Sequence, residues 1–239
     1  MMTSLPWHHV HITLTEREMA AKWHERYTPA KRIQPTKRSE NLYYGPNLLQ
    51  IQSKSVTPEH HDSYIESIGV SLSNIIEVIA NWKSAGGFIG TCMQRTAQVQ
   101  DPWGVTFEFV ERSPFGYSHI NIASVEPEKL RDWYESNLGG RRMACEWDST
   151  RLIVEYDTMM VVFIPMTSPV SSTIERPIDH LGWYTDDLDA SFNRLSANGV
   201  KFPVEPREFG QVRLAFAEDP GGNWIELLEP PKGIIKKPI

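Results

Sequence analysis

Two acidic residues stand where a buried strand should be apolar. In DPGGNWIELLE, Asp219 to Glu229, a tight turn feeds a strand in which Glu226 lies between Ile225 and Leu227. DPWGVTFEFVE, Asp101 to Glu111, repeats the design with Glu108 in the matching place. An ionised carboxylate inside a sheet is costly unless it is paired or binds a cation. Strand side chains alternate between faces, so Glu226 shares one with Trp224 and Leu228, and His119 shares one with Tyr117 and Asn121. By itself Glu226 reads equally well as a salt-bridged edge residue, and a lone buried histidine reads first as a hydrogen-bonded core residue. Two histidines entering from other strands beside Glu226 would instead form a facial set suited to Fe(II), Mn(II), Zn(II) or a similar ion.

The elements that would position such a set repeat along the chain. Four segments open with a short strand: Trp7 to Leu14, Tyr64 to Leu72, Tyr117 to Ala123 and Ile178 to Thr185. Each is followed by a helical pattern, EREMAAKWHERY, NIIEVIANWKSAGG, EPEKLRDWYESNLGG and DLDASFNRLSANG, and then by further strands such as VTFEFV and RLIVEY. In the third helix Leu130, Trp133, Tyr134 and Leu138 mark one buried face. Gly86, Gly139 and Gly199 fall at helix C-terminal caps, with Ser73 and Asp186 or Asp187 at N-terminal caps. The units run over about 7–55, 63–112, 116–166 and 177–230, and RSPFG, Arg112 to Gly116, divides them two and two. The architecture expected is α+β, with four βαβββ units paired into two domains, 1–112 and 113–239, of cupped mixed sheet.

Composition excludes several functions. The 239 residues are 40% hydrophobic and 23% charged with a net charge of −6, so nucleic acid is not the expected partner. Lys31-Arg32 and Lys37-Arg38 read as solvated surface, as do His24 on its helix and the loop pair His60-His61. Cys92 and Cys145 are too few for a disulfide framework and are not spaced as a metal pair. The N-terminus lacks the pattern of a signal peptide, and no apolar run approaches the roughly 20 residues of a membrane span. A cytoplasmic setting, no membrane partner and a small-molecule substrate are expected, with a homo-oligomer left open.

The repeated units, most of all DHLGWYTDDLDASFNRLSANGV with the closing DPGGNWIELLEP, resemble the vicinal oxygen chelate superfamily of glyoxalases, extradiol dioxygenases and small resistance proteins. The resemblance covers nearly the whole chain. It implies two modules cupped around a divalent metal, with ligands from the first and last strand of each module. The first-strand positions are His9, Ser67, His119 and His180, and the last-strand positions are Gln50, Glu108, Val162 and Glu226. The resemblance therefore implies a second-half metal site of His119, His180 and Glu226. His9 and Glu108 would be a decayed or structural pair in a first half that has Ser67 in place of a second histidine.

A set of two histidines and one carboxylate is similar to that of extradiol dioxygenases, whereas glyoxalases of the group present four ligands. The function implied is a non-haem Fe(II) dioxygenase acting on a small aromatic or vicinally oxygenated compound, with Mn(II), Zn(II), Ni(II) or Co(II) as other ions. A glyoxalase-like isomerase or lyase, using Glu226 or Glu155 as base, and a metal-free drug-binding protein are the alternatives. The extradiol tyrosine, ten residues before the final glutamate, is replaced by Phe216, and the histidine nine residues before that maps to Arg207. Tyr117, Asn121, Tyr184 and Arg213 are the residues that could take over acid–base and substrate-holding work. Arg207 or Arg213 could grip a substrate carboxylate in bidentate fashion. Trp183, Trp224, Phe216 and Met159-Met160 read as core or as an apolar wall.

Overall fold

The computed structural model describes residues 4–53, 64–112, 116–145, 148–169 and 176–231. All four units have the expected order. The first holds β1 (Trp7–Leu14), α1 (Arg17–Tyr27), β2 (Lys31–Ile33), β3 (Ser39–Tyr44) and β4 (Asn47–Ser53). The second holds β5 (Ile65–Leu72), α2 (Ile75–Ser84), β6 (Phe88–Cys92), β7 (Thr96–Gln100) and β8 (Thr106–Glu111). In the third are β9 (Gly116–Ser124), α3 (Pro127–Leu138), β10 (Arg141–Ala144), β11 (Leu152–Glu155) and β12 (Met160–Pro165). The fourth has β13 (Ile178–Tyr184), α4 (Leu188–Ala197), β14 (Lys201–Phe209), β15 (Val212–Glu218) and β16 (Trp224–Glu229).

Helix ends follow local chemistry. Asp187 caps α4 by accepting from the Ala190 amide, while Asn74, not Ser73, caps α2 by accepting from the Glu77 amide at 3.2 Å. Both DPxG turns are built alike. Asp101 Oδ1 accepts from the amides of Trp103 and Val105, and Asp219 Oδ1 from those of Gly221 and Asn223. Gly104 and Gly222 each take a φ of +84°, which a side chain would resist. The repeated motif is thus a side-chain-braced turn that delivers its glutamate strand at a fixed register.

Within a unit the first strand runs parallel to the fourth, and the other two complete the sheet. The pairing between units is not the sequential one. One eight-stranded sheet has the order β14-β15-β16-β13-β1-β4-β3-β2, and the other β10-β11-β12-β9-β5-β8-β7-β6. Unit 1 therefore joins unit 4, and unit 2 joins unit 3, through antiparallel β1–β13 and β5–β9 pairs. The expected halves, 1–112 and 113–239, each contribute to both sheets. Nothing in the repeat itself encodes which copy pairs with which, because every first strand offers the same kind of edge.

The two sheets and the helices share one continuous apolar cluster that includes Trp82, Trp183, Tyr134 and Phe107. Polar stitches cross between the sheets. The hydroxyls of Tyr64 and Tyr134 donate to Asp219 Oδ2 at 3.0 and 3.1 Å, and the Trp7 amide donates to Asp157 Oδ1 at 3.1 Å. His24, expected to be solvated on its helix, is fully buried between the Tyr44 hydroxyl (2.6 Å) and Asp101 Oδ2 (3.0 Å). No helix among the described residues is long and apolar enough to cross a membrane. His60-His61 and the tail beyond Pro231 lie outside the described residues.

Candidate metal centre

β1 and β13 run antiparallel at the centre of the first sheet, and β16 lies parallel to β13 on its other side. That register brings His9, His180 and Glu226 together, with one donor atom from each inside a span of 4.8 Å. His9 Nε2 stands 3.2 Å and His180 Nε2 3.4 Å from Glu226 Oε2. All three residues are buried. His119, the expected partner of His180 and Glu226, is not among them. It belongs to the second sheet, because β9 pairs with β5 and not with β13. His9, expected to pair with Glu108, takes the position instead.

His9 fits against β13 because residue 182 is glycine: a Cβ there would overlap the imidazole. The second sheet repeats this, with Gly69 lying under the ring of His119. Each of the three strand-opening histidines has its Nδ1 held by the residue just before it. His8 Nδ1 lies 2.9 Å from His9 Nδ1, Ser118 Oγ 2.8 Å from His119 Nδ1, and Asp179 Oδ1 2.6 Å from His180 Nδ1. Alternation would put His8 on the opposite face from His9. A register shift between Trp7 and His9 bends the strand there, and His8 packs on the His9 ring.

Burial depresses the pKa of His9, and the nearby Glu226 only partly offsets it. Burial likewise takes His8 down to about 3 and His11 to about 4. Burial opposes charge at His180 as well, yet Asp179 and Glu226 outweigh it and lift the ring to about 9. For Glu226 burial would raise the pKa, but His180 and His9 hold it far below the usual carboxylate range. His9 Nε2 is close to Glu226 without the alignment a hydrogen bond needs, so it is a buried nitrogen with no partner, as is His11 Nε2. An orphaned imidazole nitrogen at His9, beside the His180 ring and the Glu226 carboxylate, is what a divalent cation would satisfy, and two nitrogens with one oxygen suit Fe, Mn, Zn, Ni or Co.

Through His180 and Glu226 the centre borders a cavity of about 1050 Å³, with His9 buried behind them. Val212, Leu214, Phe216 and Leu228 form an apolar wall, and Gln50, at the last-strand position of unit 1, lines it too. His11 sits on the wall 3.2 Å from His180, Nδ1 to Nδ1, and with Asp179 and His180 forms a second, overlapping donor group.

The second sheet's cup is closed by its own side chains. Glu108 Oε2 accepts from His119 Nε2 at 2.8 Å and from Asn121 Nδ2 at 2.6 Å, and Arg151 Nη1 approaches it at 3.5 Å. A guanidinium thus supplies the positive charge there, beside a pocket of about 180 Å³.

The other expected residues scatter. Asn121 belongs to this second cup. Arg213 is engaged by Asp189, Glu229 and Glu208, which raise its pKa further. Tyr184 stacks on His8 with ring centroids 4.1 Å apart. The side chain of Tyr117 lies outside the described residues. Glu155, on β11 of the second sheet, pairs with Arg141 on β10, and so belongs to a different sheet from the centre. Phe216 does line the cavity, whereas Trp183 is core, edge-on to Trp7. His11, Asp179 and the bulged His8 carried a signal in the HHVH and DH pairs, but only the strand pairing gives it meaning.

Residues 116–227 match the model of the Glyoxalase/Bleomycin resistance protein/Dioxygenase superfamily. Glyoxalase I from Zea mays superposes with a TM-score of 0.74 at 16% identity, covering 95% of this chain and 92% of that one. A proposed dioxygenase from Bacillus subtilis superposes with 0.74 at 11% identity, over 98% and 87%. In sequence, YurT of Bacillus subtilis strain 168 is 37% identical over 43 residues, which is 18% of this chain and 34% of that protein's length. Residues 116–227 thus resemble that superfamily in sequence, and nearly the whole chain shares the glyoxalase-like, vicinal oxygen chelate fold of these structures.

Proposed function

We propose that the protein is a metal-dependent enzyme that chelates two neighbouring oxygens of a small aromatic or vicinally oxygenated compound at His9, His180 and Glu226, and that it is a non-haem Fe(II) dioxygenase. The observation carrying this reading is the buried group of two imidazoles and one carboxylate, in which His180 and Glu226 line a large cavity and His9 behind them holds an unpartnered nitrogen. Three protein donors leave positions free for two substrate oxygens and dioxygen. A metal bound there would lower the pKa of a coordinated hydroxyl and hold both reactants together.

The chain's own residues have separate tasks. His8 and Asp179 fix the orientation of the two ligand imidazoles. Phe216, Leu214 and Leu228 offer a dry face for a flat ring. His11, lining the cavity 3.2 Å from His180, is the ring placed to hold a substrate hydroxyl where Phe216 and Arg207 stand in place of the extradiol acid–base residues.

A second reading, a glyoxalase-like isomerase or lyase, is favoured by Gln50. It lines the cavity at the position from which a fourth ligand would come. Oxygen uptake by the iron-loaded protein with catechols separates the two. Uptake lost in His180→Ala supports the dioxygenase. Oxygen-independent turnover of a hydroxycarbonyl compound with Zn, Ni or Co supports the isomerase. Ligand binding that needs neither metal nor His180 would leave a binding protein.

A further inference from the structure

The mouth of the cavity is lined by three cations, Lys37, Arg38 and Arg207. None of the three makes an ion pair with a described acidic residue. Most of the fold's other arginines are engaged: Arg32 by Glu40, Arg151 by Glu108 and Asp148, Arg141 by Glu155 and Arg213 by Asp189. Glu208, also at the mouth, reaches Arg213 at 3.4 Å, an arginine that it shares with Asp189 and Glu229. Three cations against one carboxylate leave the outer end of the chamber net positive, while its inner end holds Glu226 and Asp179.

Register fixes where Arg207 lies. It is opposite Leu214 on β15, Leu214 is opposite Leu228 on β16, and Glu226 is two residues from Leu228. Directly paired residues share a face, so Arg207 and Glu226 look into the same cup. Two strand spacings and two residues along the strand separate their Cα atoms by about 12 Å. Arg38 comes from the other end of the sheet order. It lies between β2 and β3, with its guanidinium 4.7 Å from the centre of the Phe209 ring on β14. The two free edges of the first sheet thus meet across the mouth, Arg207 with Phe209 on one side and Arg38 on the other.

From this arrangement we infer that the cavity takes an elongated ligand with a carboxylate tail, held between Arg207 and Arg38 at the mouth while its body lies on the Phe216–Leu214 wall. Guanidinium groups suit a carboxylate because the planar fork accepts it in two hydrogen bonds. Arg38, already over an aromatic ring, is partly pre-organised for that contact. The inference rests on the chelating reading only for the ligand's inner end.

The test uses the metal-loaded full chain and two pairs of probes, with dissociation constants from calorimetry. Dihydrocaffeate and its primary amide share a catechol and differ in the tail. Hydrocinnamate and hydrocinnamamide differ in the same way and cannot chelate. Wild type is expected to prefer each carboxylate over its amide by about tenfold. Arg207→Gln with Arg38→Gln should abolish that preference, leave the amides unchanged and keep the native circular dichroism spectrum. Equal binding of acid and amide in both pairs, no measurable binding of either acid, or a preference that survives the double substitution overturns the inference. Failure of the metal reading looks different: dihydrocaffeate would then bind His180→Ala as tightly as wild type, while the acid–amide difference persisted.

Discussion

The imidazole of His9 lies on the backbone of Gly182, in the space that a Cβ at residue 182 would occupy. The same relationship holds between His119 and Gly69 in the other sheet. Each cup therefore seats one histidine over a glycine of the antiparallel neighbour, next to a glutamate on the parallel strand beyond it. Only the first cup adds a second histidine. Gly182→Ala should displace the His9 ring and weaken metal binding at least tenfold. Gly69→Ala, which strains the His119–Glu108 contact instead, should leave metal content at one ion per chain. Mass spectrometry of the purified variants reads both, and equal metal loss in the two would refute the assignment of a single working cup.

The Asp179–His180 contact of 2.6 Å has the form of a carboxylate–histidine–metal relay. Such outer partners fix the tautomer and ring orientation, and removing them typically costs 10–100-fold in metal affinity. Asp179→Asn is expected to fall in that range by competition with a chelator. His9→Ala, His180→Ala and Glu226→Ala should abolish stoichiometric binding, and His119→Ala should retain it. Retention of the metal in His9→Ala with loss in His119→Ala would restore the ligand set that the family resemblance implies.

Four units, their helices and their strand-opening histidines were legible in the sequence because each depends on local periodicity and on braced turns. Glu226 and His180 were legible for the same reason. His119 was misassigned because the choice between β1 and β9 as the neighbour of β13 is a long-range pairing, and the two strands carry nearly the same pattern. His24 was misread as solvated because its partners, Tyr44 and Asp101, come from two different units. The role of His8 needed the bulge, which alternation cannot foresee.

Glu108 gives the second cup a pH signature. Burial would raise its pKa, but His119, Asn121 and Arg151 more than offset this and hold it at about 2. A carboxyl depressed from its unfolded value stabilises the fold above that value, and the stability is lost as pH falls from about 4.5 towards 2. The loss is on the order of 2–3 kcal/mol. Glu108→Gln should remove this part of the acid sensitivity. Urea midpoints compared between pH 7 and pH 3 test it, and an unchanged difference between the two proteins across that range would count against the ion-paired cup.

Asp219 behaves oppositely. Burial dominates and lifts its carboxyl to about 6, although the Asn223 amide, Tyr64 and the Gly221 amide favour the charged form. Its own titration therefore lowers stability as pH rises from about 4 to 6. The hydroxyls of Tyr64 and Tyr134 converge on a single oxygen, Oδ2, from units 2 and 3. Removing either leaves a buried carboxylate with one donor fewer, at a cost of about 1–3 kcal/mol when Asp219 is ionised. Tyr64→Phe and Tyr134→Phe should each destabilise at pH 8 and do so less at pH 5, where the carboxyl is largely protonated. The two should be non-additive, because they share one acceptor. Metal content should not change in either, since Asp219 braces the turn before β16 through Oδ1, which the tyrosines do not touch. A pH-independent cost would show instead that the tyrosines act through packing alone.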